Sequence, residues 1–95
     1  MNTSYLYQNI ESMTTSKEIM NRSAKTQTLN ILKDKLLSLS DSTDNIKIKA
    51  LIAYNILMLE DCYNIDMYKF QFKGLKDMIE KDLKNLEESI ALETI

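Results

Sequence analysis

The chain contains no proline and a single glycine, Gly74. Those two residues punctuate tight turns, so a fold of many short strands joined by hairpins is disfavoured. A few long helices with polar connections are predicted instead: an all-α hairpin or bundle of three to four helices. Ninety-five residues suit one domain spanning 1–95 and are too few for two. The hydrophobic fraction is 44%, enough for a thin core. A chain of this size buries roughly 60–65% of its unfolded surface, and a partner or a second copy often supplies the rest.

Hydrophobic spacing places the helices. Leu6, Ile10 and Met13 predict a short helix over Thr3–Met13, with Thr14-Thr15-Ser16 as a stop and a new N-cap. A helix near 16–38 carries Met20, Ala24, Thr28 and Ile31 into a seam of Leu29, Leu32, Leu36 and Leu39. The polar run Ser40–Asn45 follows, with Thr43 or Asp44 as the expected cap of the next helix.

That next helix, near 45–63, is apolar over much of its circumference. Ile48, Leu51, Ile52, Leu59, Cys62 and Tyr63 are expected on one broad buried face, with Ala50, Ala53, Tyr54 and Leu57 partly covering the other side. Such a helix is the central one of a bundle or is covered by a second chain. Asn55 falls within its apolar face. Either its amide reaches a neighbouring helix or a backbone carbonyl, or it fixes register in an oligomer.

The last helix, near 66–92, has Asp66 as a candidate cap and a stripe of Tyr68, Phe72, Leu75, Ile79, Leu83, Leu86 and Ile90. With no proline or glycine between them, it and its predecessor are either continuous or separate. Tyr68–Lys73 also alternates as a strand does, and Tyr5–Ile10 is the available strand partner. A second apolar row, Met67, Phe70, Gly74 and Met78, lies off the main stripe. It is either covered by Thr3–Met13 or is a partner-binding surface, with Phe70 as an aromatic anchor and Gly74 permitting close approach.

The chemistry on offer is narrow. There is no histidine and one cysteine, Cys62, which removes Cys/His zinc sites, His-dependent nucleophiles and an intramolecular disulfide. One glycine rules out Gly-rich phosphate loops, so no cofactor is expected. Asp41, Thr43 and Asn45 resemble the start of a calcium loop, but Ile46 stands where that loop needs glycine and Ile52 where it needs glutamate. No metal site follows. The carboxylates Glu60, Asp61, Asp66, Asp77 and Glu80 lie among lysines, as on a solvated face. No catalytic residue is assigned, and the chain is expected not to be an enzyme.

The net charge is −2, from 12 basic and 14 acidic residues, and the lysines are dispersed. Nothing here attracts nucleic acid over a distance. The N-terminus lacks the pattern of a cleaved signal peptide, and no stretch is long enough to span a membrane. The expected location is the cytoplasm, the alternative export without a cleaved signal. Abundant isoleucine, asparagine and lysine with scarce arginine fit an AT-rich bacterial or phage genome.

From Leu29 to Glu87 the chain resembles the needle subunits of bacterial type III secretion systems. Leu51 and Tyr54 match the start of that family's second helix. Lys73, Lys76, Asp77 and Met78 approximate its later motif, without a gap. Ser42-Thr43-Asp44-Asn45 replaces the family's proline-bearing turn, Ile65-Asp66 and Tyr68-Lys69 replace two of its polar pairs, and Glu88–Ile95 extends past its end. The resemblance implies a helical hairpin that assembles into a hollow tube. The residues themselves predict a non-enzymatic protein-interaction module, acting through self-association or a protein partner. A small inhibitor or chaperone of a host protein is the other form that partner binding takes.

Overall fold

A computed structural model describes residues 18–93. Among them are three helices: α1 (Arg22–Asp41), α2 (Ile46–Glu60) and α3 (Lys69–Glu93). The fold is all-α, with an up-down-up order. The helix expected over Thr3–Met13 and the cap at Ser16 lie outside the described residues.

α1 starts later than 16 because the preceding residues are extended. Ile19 and Tyr68 form a single antiparallel bridge. The Met20 N–H donates to Met67 O and the Lys69 N–H to Glu18 O, each at 2.7 Å. Asn21 then caps α1, its side chain accepting the Ala24 N–H at 3.1 Å. Tyr68 is thus bridged to Ile19, the strand partner expected at Tyr5–Ile10 lies outside the described residues, and the alternating residues from Lys69 onward are helical. The Tyr68 N–H donates to Gln71 Oε1 at 3.1 Å, half of a capping box. Asp66 is not that cap. A hydrogen bond from Arg22 at 2.8 Å, and then the Arg22 charge, hold its carboxyl below the usual range. Both groups are fully solvated, so the pair is a weak tie between the ends of two connections.

The turn between α1 and α2 explains its own composition. Asn45, not Thr43 or Asp44, is the N-cap: its Oδ1 accepts the N–H groups of Lys47 and Ile48 at 2.9 and 3.2 Å. Thr43 is buried, accepts the Asn45 N–H and donates to Glu93 Oε2 at 2.9 Å. Asn45 Nδ2 donates to Glu93 Oε1 at 2.7 Å. One carboxylate therefore fastens the end of α3 to this turn. Of the side chains that resemble a calcium loop in sequence, Thr43 and Asn45 are committed to this turn and its cap.

Leu29, Leu32 and Leu36 of α1, Ile48, Ile52 and Leu59 of α2, and Phe72, Ile79, Leu83, Leu86 and Ile90 of α3 make the core. Leu39 and Leu75 pack partly against it, whereas Ile31 and Tyr68 are exposed, outside the stripes that spacing assigned them to. α1 packs against both other helices, while α2 and α3 touch sparsely. Of the two places expected for so apolar a helix, the centre of the bundle or a face covered by a second chain, α2 does not take the first. The helix richest in apolar residues sits at the side of the bundle because α1 needs only one narrow seam to hold both neighbours.

α2 and α3 are separate. The chain turns over Asp61–Asn64 and bends at Ile65 before α3 begins. The break needs no proline or glycine because Lys25 holds it from outside. Lys25, only 1% exposed, donates from Nζ to the carbonyls of Tyr63, at 3.4 Å, and of Ile65. An ammonium there satisfies carbonyls of the turn that follows α2 and lies at the end of the helix where its dipole favours a cation.

Candidate interaction surface

The outward side of α2 is a continuous apolar face. Ile46 is 82% exposed, Tyr54 62% and Leu57 64%. Ala50 and Ala53 lie exposed between them. No charged residue occurs from Ala50 to Leu59. Leu51, expected in the core, is 55% exposed and belongs to this surface as well. At 100° per residue it sits on the flank facing α3, where the sparse α2–α3 contact leaves it uncovered.

A cleft of about 300 Å³ opens there, lined by Leu51, Tyr54 and Asn55 of α2 and by Asp82, Asn85 and Leu86 of α3. Asn55 is 3% exposed. Its Nδ2 donates to Leu51 O, one turn back in its own helix, at 2.9 Å. Its Oδ1 is buried without a donor among the described residues. The amide therefore reaches a carbonyl, but of its own helix rather than of a neighbour. Leu51 O also has the backbone bond of the helix, so replacing Asn55 orphans nothing. Asn55→Leu is expected to raise monomer stability by about 1–2 kcal/mol, since it removes an unpaired buried oxygen. Chemical denaturation checks this, and a loss of stability would mean that Oδ1 has a donor.

The second apolar row is only partly a surface. Met67 precedes α3 and is buried in the core cluster, with its carbonyl tied to Met20. It leaves the row because the helix that would align it with Phe70 starts only at Lys69. Phe70, Gly74 and Met78 are exposed along α3. The rings of Phe70 and Tyr68 lie nearly parallel, their centroids 6.0 Å apart. Among the described residues a Cβ at Gly74 would meet nothing within 4 Å, and the cover expected from Thr3–Met13 lies outside them. Phe70→Asp is expected to keep native helicity and to change stability by less than about 1 kcal/mol. A collapse of the circular dichroism signal would show that Phe70 is core.

Cys62 is buried, and its Sγ donates to Met58 O at 3.3 Å. Burial pushes its thiol above the ordinary value, so thiolate chemistry is suppressed. Among the described residues no group of three metal-ligating side chains comes together, and no helix is long and apolar enough to cross a membrane.

Sequence spacing missed Lys25. It lies one turn before Leu29 on the buried side of α1, but a lysine there reads as solvated. The signal was its position in line with Leu29, Leu32 and Leu36. Comparison with family models, with curated proteins and with solved structures finds no match for this chain.

Proposed function

We propose that this is a non-enzymatic α-helical interaction module, acting through self-association or by binding a protein partner. The observation that carries the reading is the outer face of α2, where Ile46, Tyr54 and Leu57 stand in solvent with no charge between Lys49 and Glu60. Contiguous exposed apolar surface of this kind marks a contact site. A large ring beside two alanines offers both an anchor and room for a second backbone. The absence of histidine from the sequence and the raised pKa of the sole thiol support a role without chemistry.

Leu57→Glu tests it. Leu57 makes no part of the core, so the variant should fold as the parent does. Light scattering after size-exclusion chromatography, at rising concentration, should show the parent associating with itself or with a purified partner and the variant failing to. Growth without limit into polymers would favour a needle-like subunit. A parent that associates with nothing, or a variant that binds as well as the parent, would overturn the proposal.

A further inference from the structure

We propose that the occupant of the α2 face is a second copy of this chain, packed antiparallel about a two-fold axis near Tyr54; this rests on the interaction reading above. Lys47, Ala50, Tyr54, Leu57 and Asp61 recur at spacings of three, four, three and four, which keeps them on one side of the helix. The seam is apolar in the middle and carries one charge of each sign at its ends. Lys47 and Asp61 are equidistant from Tyr54, seven residues to either side. Turning the helix end over end therefore brings each Lys47 to the level of the other copy's Asp61, twice per dimer.

The same two charges are misplaced for a lone helix. Lys47 stands in the first turn of α2, where the dipole disfavours a cation. Asp61 caps its last turn, where the dipole disfavours an anion. Neither side chain has an ion-pair partner among the described residues, whereas Glu60 next door is paired with Lys33. Against an antiparallel copy both signs become favourable: Lys47 meets the negative end of the facing helix and Asp61 the positive end. A parallel copy would set like charges together at both ends, so the pattern selects orientation. Ala50 lets the backbones approach, and Tyr54 belongs to both the seam and the cleft at Asn55, so the second copy closes one side of that cleft.

Charge reversal separates this arrangement from others. Lys47→Asp and Asp61→Lys each place like charges together twice in the dimer while improving the dipole match of the free helix. Each single variant should therefore keep its helicity and weaken the dimer about tenfold by sedimentation equilibrium. The double variant, Lys47→Asp with Asp61→Lys, should return the dissociation constant to within about twofold of the parent. A dimer indifferent to both single reversals, or not restored by the double, would overturn the two-fold seam. A parent that stays monomeric but loses a purified protein partner on Leu57→Glu would overturn the second copy as occupant and leave the interaction reading intact. A parent that binds neither itself nor a partner would remove both.

Discussion

Replacing Leu29 by alanine is expected to cost about 3–4 kcal/mol. Leu29 is fully buried in the core that α1 shares with the other two helices. Removing three carbons there forfeits transfer energy and leaves a cavity that neighbouring helices cannot fill without shifting. For a chain this short, each kcal/mol moves the melting temperature by roughly 4–8 °C, so a fall of about 12 °C or more should be seen. Leu57→Ala is the matched control. It removes the same atoms from an exposed site and should change monomer stability by less than about 1 kcal/mol. Similar losses from the two would mean that the face of α2 is covered within the monomer.

Lys25→Met is expected to lower stability by about 2–3 kcal/mol. Methionine keeps the hydrocarbon stem and fills most of the volume, so packing changes little. What is lost is the donor to the carbonyls of Tyr63 and Ile65, at the exit of α2. Charge-assisted hydrogen bonds of this kind carry about 1.5–3 kcal/mol, and the carbonyls left behind are only partly reached by water. Removing a buried charge returns some of its desolvation cost, which limits the effect. Amide hydrogen exchange should rise first over Asp61–Asp66, before the core of α1 is affected. A melting temperature equal to the parent's would show that water replaces the ammonium and that Lys25 does not hold the break between α2 and α3.

These two residues mark where the sequence is legible. Leu29, Leu32 and Leu36 announce their burial through spacing alone, because a helix repeats every 3.6 residues whatever surrounds it. The stripe from Phe72 to Ile90 is read the same way. Lys25 shares the seam of Leu29, but its burial depends on carbonyls 38 and 40 residues away. No local pattern reports that.

The exposed surface divides similarly. That α2 carries more apolar residues than one face can hide was visible in Ala50–Leu59. Spacing put Ala50, Ala53, Tyr54 and Leu57 on the outer side, where they are exposed, but it did not show that Leu51 joins them. Leu51 and Leu59 are both leucines two turns apart, yet one is exposed and the other fully buried. The difference is set by where α1 and α3 lie around α2. Met67 shows the converse: its place in a row with Phe70 assumed a helix reaching back to 66, and the backbone bond between Met20 and Met67 ends that helix at Lys69 instead.

The sequence by itself therefore determined the helical class, the narrow buried stripes of α1 and α3 and the surplus of apolar surface on α2. All of these follow from short-range periodicity and from the lack of turn-forming residues. Only the tertiary structure decided that α1 is the shared neighbour, that α2 and α3 part at Lys25, and that Leu51 faces solvent. Each depends on contacts between residues tens of positions apart, where a helix's own geometry fixes nothing about which of its sides another helix will cover.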